Sequence, residues 1–235
     1  MTATSYYLKG NELTIPDFSS QNVTALYNKG YVFTRLDKGI MHQTRSLRID
    51  LSKFELSSEN RRILRKTDGL QITDYRLPIS NYNWQIAKMA KDFYDTKFGK
   101  GVFSANKVKE LLTDESRSNF NLLIQYALKS EVRSPKSDVG YAICYTNNDL
   151  LHYSYPFYDL KPNTYNLIPN LGMGMMLRAI LCAKGQELKY TYLGSAQRQG
   201  DVYKLQFAGL EWFDGQNWQT NTNRLKQLLD LKSKI

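Results

Sequence analysis

The sequence predicts an α+β (α/β) fold, in which a mixed sheet flanked by helices follows a small β-rich N-terminal module. Short alternating runs that are typical of strands occur in the first fifty residues and return after Pro135. Between them apolar residues recur at helical spacing, and glycine, proline and asparagine separate the runs. We therefore expect the module at residues 1–70 and a larger domain at residues 71–235.

The N-terminal module is expected to hold strands and one helix. The runs YVFTRL (31–36) and SLRIDL (46–51) alternate as strands do. Ser57 and Ser58 can cap a helix that follows them, and Glu59 lies where the positive end of a helix dipole favours an acid. This pattern predicts a helix directly after the strands.

That helix gathers four cations on one face. At 100° per residue they fall within an arc of about 140°; they are Arg61, Arg62, Arg65 and Lys66. Repulsion between cations at i,i+4 costs a few tenths of a kcal/mol per pair. A nucleic-acid backbone would offset this cost, and a face that is merely solvated is the alternative.

The larger domain is expected to begin with helices and to continue with strands. Helical spacing covers residues 84–98 and 106–130, with Gly99 and Gly101 as the break. A β-hairpin is predicted next, because two strand-like runs flank an Asn-Asn-Asp turn. The elements after residue 135 are strands at 138–146 and 150–160, a glycine-led helix at 170–185, strands at 187–194 and near 203–213, and a basic helix at 222–234.

Composition limits the function classes. With 235 residues, 42% of them hydrophobic, the chain can bury a sizeable core. Lys and Arg outnumber Asp and Glu by 32 to 22, and the resulting charge of +10 favours a polyanionic partner, most commonly nucleic acid. A basic protein that is merely soluble remains the alternative.

Several other classes are disfavoured. Cys144 and Cys182 have no second pair, and neither histidine lies at metal-ligand spacing from a cysteine, so we expect no disulfide framework and no metal site. The first residues lack a charged head followed by an apolar stretch, and no apolar run reaches membrane-spanning length, so we expect neither a secretory leader nor a membrane span. We expect a cytoplasmic protein without a membrane partner.

The order of two antiparallel strands, a glycine-led helix and another strand resembles the centre of the GNAT acyltransferase fold. Several blocks are more specific, because their order and spacing are similar to those of the arginyl-tRNA and leucyl-tRNA protein transferases. The matching residues are Leu47-Arg48-Ile49, Phe54, Ser57 and the run 61–66, then Phe157-Tyr158-Asp159, then Leu171-Gly172, Leu177-Arg178 and Ile180, and finally Tyr192-Leu193-Gly194, Tyr203-Lys204 and Phe207.

The chain departs from the family at two places. Met41-His42-Gln43-Thr44 occupies the region where relatives have a cysteine pair, so no metal cluster or redox control is carried over. Ser195-Ala196 replaces an aromatic segment of the relatives, which leaves the acceptor specificity open.

The resemblance implies that the enzyme transfers arginine or leucine from an aminoacyl-tRNA to the N-terminal α-amine of an acceptor protein, an N-degron type modification. Aminoacyl-tRNA would be the co-substrate, with no further cofactor. The donor is already an activated ester, and an α-amine with a pKa of about 7.7–8.0 is partly neutral at pH 7. Positioning and oxyanion stabilisation can therefore carry the reaction.

Carried onto this chain, the resemblance implies three sets of site residues. The phosphates of the tRNA acceptor arm would meet Arg45, Arg48, Arg61, Arg62, Arg65 and Lys66. The catalytic set would be Asp159, as proton acceptor or amine anchor, with the backbone N–H groups around Gly172 and Gly174. The terminal adenosine and the acceptor would meet Tyr158, Tyr192, Arg198, Tyr203 and Lys204.

Each set has a structural alternative: a solvated face for the cations, helix packing for the glycines, a strand-end hydrogen bond for Asp159 and the core for the tyrosines.

The function has alternatives too. A CoA-dependent N-acetyltransferase is one, although Pro169 stands where its phosphate loop would have a side-chain donor. A non-catalytic RNA-binding adaptor is another. The donor stays open between arginine, with a carboxylate among Asp159, Glu187 and Glu211, and leucine, with Met173, Met175 and Met176.

Overall fold

A computed structural model describes residues 9–128, 138–161 and 168–230. The first part of the chain forms β1 (Lys9–Thr14), α1 (Ser20–Asn28), β2 (Tyr31–Phe33), β3 (Ile40–Thr44), β4 (Ser46–Asp50) and α2 (Ser58–Lys66). The middle forms β5 (Leu70–Arg76), α3 (Trp84–Phe98), α4 (Ala105–Thr113), β6 (Leu122–Leu128), β7 (Asp138–Thr146) and β8 (Leu150–Tyr158). The last part forms α5 (Leu171–Gly185), β9 (Tyr190–Ser195), a 3₁₀ helix (Gln199–Gln206), β10 (Leu210–Phe213), β11 (Trp218–Gln219) and α6 (Thr222–Asp230).

The strands form two sheets. The small sheet has the order β1-β3-β2, and the large sheet has the order β11-β10-β4-β9-β8-β7-β6-β5. In the large sheet β8 and β9 pair in parallel, and the other neighbours pair antiparallel. Helix α5 makes the crossover between β8 and β9, which is the strand-helix-strand order expected from the sequence. The fold is therefore the expected GNAT-like mixed sheet flanked by helices.

Both faces of the large sheet are covered. Apolar side chains of α2, α5 and α6 form one buried cluster with one face of the sheet. Side chains of α1, α3, α4 and the small sheet form a second cluster on the other face. Among the described residues no helix is long and apolar enough to cross a membrane.

The segments 1–70 and 71–235 share one sheet. Strand β4, from the first segment, lies between β9 and β10 of the second, with Arg48 opposite Tyr192 on one side and Glu211 on the other. Helix α2 likewise packs on the same buried cluster as α5. The N-terminal segment thus supplies an interior strand of the large sheet as well as its own small sheet.

Two expected elements differ in the structure, and one further helix was not expected. The helix expected at 106–130 ends at Thr113, and residues 122–128 form β6, because LLIQYAL is an apolar run that pairs on both sides with strands. The strand expected near 203–213 is a 3₁₀ helix as far as Gln206, with strand only at Leu210–Phe213. Helix α1 was not predicted; Ser19 caps it by accepting the Asn22 N–H.

Candidate active site

Strands β8 and β9 separate after three residue pairs. Leu150, Leu151 and His152 lie opposite residues 190–192, but β8 continues to Tyr158 and β9 to Ser195 without further pairing between them. We call the space between residues 153–158 and 193–195 the β8–β9 opening. Ligands of open α/β sheets bind outside the carboxyl ends of strands, which makes this opening the candidate site.

A β-bulge lies in β8 directly after its last residue paired with β9. Tyr153 lies opposite Cys144 and Tyr155 lies opposite Ile143, so Ser154 is an extra residue in β8. Such an extra residue bends its strand and reverses which side chains face each side of the sheet. Tyr153 accordingly belongs to the buried cluster under α5, whereas Tyr155 packs with the cluster under α3 and α4.

Helix α5 begins beside the end of β8. A Cβ placed on Gly172 would lie 3.0 Å from Cε1 of Tyr158, so the first turn approaches that ring closely. Asn170 precedes the helix at a φ of 65° and provides no side-chain cap. The first-turn N–H groups of α5 have no acceptor within the helix and form its positive end.

Gly174 does not share this position. Its N–H donates to the Asn170 carbonyl at 2.9 Å, so this amide is used within the helix. A Cβ on Gly174 would lie 2.6 Å from Cγ2 of Thr67, which follows α2. The expected role of Gly174 as an oxyanion donor is therefore corrected to the packing role, and Gly172 is left as the glycine at the helix start.

Asp159 follows Tyr158 at the end of β8. Its N–H donates to the Val139 carbonyl at 2.9 Å, and its Oδ1 accepts the Lys161 N–H at 3.0 Å. Its Oδ2 lies 3.6 Å from Nζ of Lys161, and the side chain is 20% exposed. Strand pairing thus fixes the backbone of Asp159 close to the start of α5, with a carboxylate that solvent still reaches.

The 3₁₀ helix lines the opening from the β9 side. Lys204 donates from Nζ to the Ser195 carbonyl at 3.1 Å and lies 3.3 Å from Oδ1 of Asp201. Burial raises the pKa of Tyr153, a residue of the opening, and the nearby Tyr203 hydroxyl adds to this effect. Arg198 is exposed at the start of this helix. The structure thus brings Tyr158, Asp159, Gly172, Tyr203 and Lys204 to the same end of β8 and β9.

Arg48 and Tyr192 lie elsewhere, inside the large sheet. The Arg48 guanidinium donates from Nε to Glu211 at 2.8 Å and lies 4.0 and 3.9 Å from the ring centres of Tyr190 and Trp218. Tyr192 is fully buried, its hydroxyl lies 3.4 Å from Arg48, and burial raises its pKa to about 12. This placement corrects two expectations. Tyr192 is a core residue, and its ring has no exposed face on which a nucleobase could stack. Arg48 is paired inside the sheet and cannot reach a phosphate.

Arg45 is also enclosed, but it lies beside the opening. Its carbonyl accepts the Ala196 N–H at 2.9 Å, and its guanidinium donates to the Ala196 carbonyl at 3.5 Å. Burial lowers the pKa of this guanidinium. Arg45 therefore places a cation under the segment that follows β9.

The cationic face of α2 also adjoins the start of α5. Arg65 and Lys66 are exposed in the last turn of α2. The Arg178 side chain of α5 donates to the carbonyl of Thr67, which directly follows Lys66. Arg61 and Arg62 are engaged locally, with the Leu56 carbonyl at 2.6 Å and with Glu59 at 2.6 Å respectively. Within the described part of the chain, Arg65 and Lys66 are the two members of this face without a hydrogen bond or a close ion pair.

The opening offers little for an arginyl donor. Glu211 is paired with Arg48, and Glu187 lies past the far end of α5, about 22 Å along the helix from its start. Met175 and Met176 are buried in the core, whereas Met173 is half-buried in the first turn, with its sulfur 3.9 Å from Nε2 of Gln206. The apolar side chain at the start of α5 is therefore Met173.

Sequence reasoning missed His152, the last β8 residue paired with β9. Its Nδ1 lies 2.9 Å from the Tyr27 hydroxyl, and burial lowers its pKa to about 3, so the ring is neutral. A histidine inside an otherwise apolar strand was the available signal. The described residues contain no group of three or more side chains suited to hold a metal ion.

Comparison with known proteins agrees with the resemblance seen in the sequence. No family model matches the chain. The aspartate/glutamate leucyltransferase of Ruegeria pomeroyi is 27% identical over 183 residues, which cover 76% of this chain and 62% of that protein. The chain is thus similar in sequence to one of the aminoacyl-tRNA-protein transferases. Because it spans less than two thirds of this transferase, the activity of the whole relative is considered below as a proposal.

Solved structures of two other proteins are similar in part. L-PGS from Bacillus licheniformis is 12% identical, with 89% of this chain and 70% of that chain covered at a TM-score of 0.47. FemX is 11% identical, with 82% and 64% covered at a TM-score of 0.44. The fold assignment of this chain rests on its own strand order and crossover helix.

Proposed function

We propose that this protein transfers an amino acid from an aminoacyl-tRNA to the N-terminal α-amine of an acceptor protein. The observation that carries the proposal is the convergence at the β8–β9 opening: the uncapped start of α5, the carboxylate of Asp159 and the cationic end of α2 adjoin one another. The similarity to an aspartate/glutamate leucyltransferase supports this reaction class.

In the proposed reaction the neutral α-amine attacks the ester carbonyl of the donor. A carbon–nitrogen bond forms, the ester carbon–oxygen bond breaks, and the tRNA leaves with its terminal ribose hydroxyl. First-turn N–H groups of α5, including that of Gly172, would stabilise the oxyanion, because they form the positive end of the helix. Asp159 would accept the ammonium proton directly or hold the amine by a hydrogen bond.

The tRNA would lie across the end of α2. Arg65 and Lys66 would contact phosphates, with Arg61 and Arg62 at the same face and Arg45 beside the opening. Phosphate contacts position a nucleic acid without reading its sequence. Tyr158 and Tyr203 are the two candidate tyrosines left near the opening that could stack on the terminal adenosine.

Leucine is the proposed donor. Met173 supplies an apolar, adaptable surface at the start of α5, whereas two of the three candidate carboxylates for an arginyl donor lie away from the opening. The name of the relative supports the same choice and suggests acidic acceptor residues. Lys204 and Arg198 are the cations that would pair with an acceptor beginning with Asp or Glu. This reaction uses tRNA as its co-substrate and no other cofactor, and we place it in the cytoplasm.

The test is transfer of radiolabelled leucine or arginine, each charged on tRNA, to peptides that begin with Asp, Glu, Lys or Ala. We expect label on the Asp and Glu peptides with the leucyl donor. Absence of transfer with every pair, from protein shown to be folded, would contradict the proposal. Binding of tRNA without transfer would then indicate an adaptor, and acetylation from acetyl-CoA would indicate an acetyltransferase.

A matched pair of variants tests the role of Asp159. Asp159→Asn keeps the shape of the side chain and removes its basicity, so we expect kcat to fall on the order of 100-fold if the carboxylate takes the proton. Asp37→Asn changes an exposed carboxylate of the β2–β3 connection and serves as the control. An unchanged kcat in Asp159→Asn would mean that Asp159 has only a structural role, through its hydrogen bonds at the end of β8.

A further inference from the structure

Helices α3 and α4 enclose a surface groove that the proposed active site does not use. Its volume is about 340 Å³, which is the lower range of ligand-binding clefts. The lining residues are Tyr82, Trp84, Ala87, Lys88, Lys91, Ala105, Asn106 and Lys109. Aromatic and apolar side chains thus form its surface, with lysines around them.

Trp84 is the most conspicuous member of this groove. It is the first residue of α3 and 63% of its surface is exposed, whereas Trp212 is 1% exposed in the core. Tryptophan is enriched at binding interfaces, because its ring combines a large apolar face with a polar N–H. Tyr82 adds a second ring next to it, over which the Nζ of Lys109 lies at 5.8 Å from the centroid.

The charged side chains that line the groove are positive. Lys88, Lys91 and Lys109 line it, and no acidic residue does so among the described residues. Lys88 and Lys91 are paired with Asp92 and Asp95, which lie one turn further along α3, yet each lysine is more than half exposed. The Lys88–Asp92 pair is exposed on both sides, whereas Asp95 is 19% exposed. Because ion pairs of exposed lysines are individually weak, the lysines can exchange them for phosphate oxygens.

We infer that this groove binds an unpaired nucleotide of RNA, with its base stacked on Trp84 and its phosphates next to Lys88, Lys91 and Lys109. Aromatic faces combined with lysines are the combination by which proteins hold single-stranded nucleic acid without reading its sequence. An acidic peptide would use the lysines but would leave the two aromatic faces without a planar partner.

The groove lies outside the β8–β9 opening, but helix α3 lines the groove and also contacts β8. Phe93 and Tyr94, further along α3, contact Tyr158 and the Pro156 carbonyl of β8. Trp84 precedes Phe93 by nine residues, or about 14 Å of helix. The inference rests on the proposed tRNA co-substrate and assigns the groove to a part of that RNA outside the opening.

The experiment measures the affinity of the full chain for uncharged tRNA by fluorescence anisotropy. We expect Trp84→Ala to weaken binding on the order of tenfold and Trp84→Phe to weaken it less, because a phenyl ring still stacks. Tyr75→Ala is the matched control, since Tyr75 is an exposed aromatic residue of β5 outside the groove. Combined Lys88→Gln, Lys91→Gln and Lys109→Gln substitutions should lower the salt slope of log affinity by about 2 to 3.

A second measurement does not depend on the stability of variants. In the unmodified protein, bound tRNA should quench the fluorescence of the exposed Trp84 and shield it from acrylamide, and Trp84→Phe should lose this response. Equal tRNA affinity of Trp84→Ala and the unmodified chain, or shielding of Trp84 by acidic peptides but not by tRNA, would overturn the inference. Because uncharged tRNA is the probe, these results are independent of whether aminoacyl transfer is detected.

Discussion

Arg48 lies inside the large sheet and is held by three kinds of contact. Its side chain and that of Glu211 are 9% and 13% exposed, and their closest atoms are 2.7 Å apart. Asn28 accepts a further hydrogen bond at 2.9 Å, and two aromatic rings cover the guanidinium. Burying a charge in this way is tolerated only because every face of the guanidinium has a partner.

Removing one member of this ion pair should therefore be costly. We expect Arg48→Ala to lower the free energy of unfolding by about 3 kcal/mol, because the largely buried carboxylate of Glu211 would keep only the more distant Lys53, whose Nζ lies 3.8 Å away. Urea unfolding measures this change. Arg61→Ala, at an exposed position of α2, is the control and should change stability by less than about 0.5 kcal/mol. Equal effects of the two substitutions would mean that Arg48 is not held as described.

His152 makes stability depend on pH. Burial lowers its pKa to about 3 from the ordinary value of 6.5, so the folded protein holds a neutral ring that would charge on unfolding. Its contribution is fully present above about pH 6.5, declines as the pH falls, and is lost by about pH 3. The slope attributable to His152 is at most about 1.4 kcal/mol per pH unit.

Unfolding free energies measured at pH 7, 6, 5 and 4 test this expectation. His152→Gln should have a shallower decline between pH 6 and pH 4 than the unmodified protein. His42→Gln serves as the control, since His42 is a half-exposed residue of β3. Parallel pH curves for His152→Gln and the unmodified chain would contradict the assignment.

At the scale of elements, the contact between α2 and α5 joins the proposed tRNA surface to the proposed ester site. Gly174 allows the close approach, because a Cβ there would meet the Thr67 side chain at 2.6 Å. We expect Gly174→Ala to destabilise the protein by about 1–3 kcal/mol through this overlap. Gly185→Ala, at the other end of α5 where a Cβ would meet no atom within 4 Å, should be neutral or stabilising by less than about 1 kcal/mol. Thermal unfolding of the two variants distinguishes these outcomes.

The cationic face of α2 provides a binding prediction. Arg65→Ala combined with Lys66→Ala should weaken tRNA binding and reduce the salt slope of log affinity by about 2, because two phosphate contacts are lost. Arg224→Ala, on the exposed side of α6, is the control. Titrations at several salt concentrations measure both. An unchanged slope in the double variant would identify the face as solvated.

At the scale of the whole molecule, the same sheet architecture could serve a CoA-dependent acetyltransferase. Stabilisation by the bound ligand distinguishes this function from the proposed tRNA-dependent transfer. We expect tRNA, but not acetyl-CoA, to raise Tm, because a ligand at 100 times its Kd stabilises the folded state by about 2.7 kcal/mol. Differential scanning measurements with each ligand test this. A rise in Tm with acetyl-CoA alone would favour the acetyltransferase. In this chain Pro169 stands just before α5, where such an enzyme would have a side-chain donor.

The features that the sequence predicted correctly have strong local signals. Helix α2 has a capping box between Ser57 and Asn60, and the hairpin of β7 and β8 has its Asn-Asn-Asp turn. Residues 122–128 were misassigned because a short apolar run fits a buried strand as well as a buried helix, and only its pairing with β5 and β7 decides. The burial of Tyr192 also depends on distant contacts, because Tyr27 and Trp218 pack against its ring. Local sequence could therefore not predict it.

The interior position of β4 has a consequence for biosynthesis. Arg48 and its neighbour Tyr192 are 144 residues apart in the chain. At typical elongation rates the ribosome needs on the order of ten seconds to make the intervening residues. During that interval both edges of β4 lack their partners, so the nascent chain carries an unpaired strand that can associate with other chains. The large sheet is thus completed late in synthesis, once β9 and β10 have been made and can pair with β4.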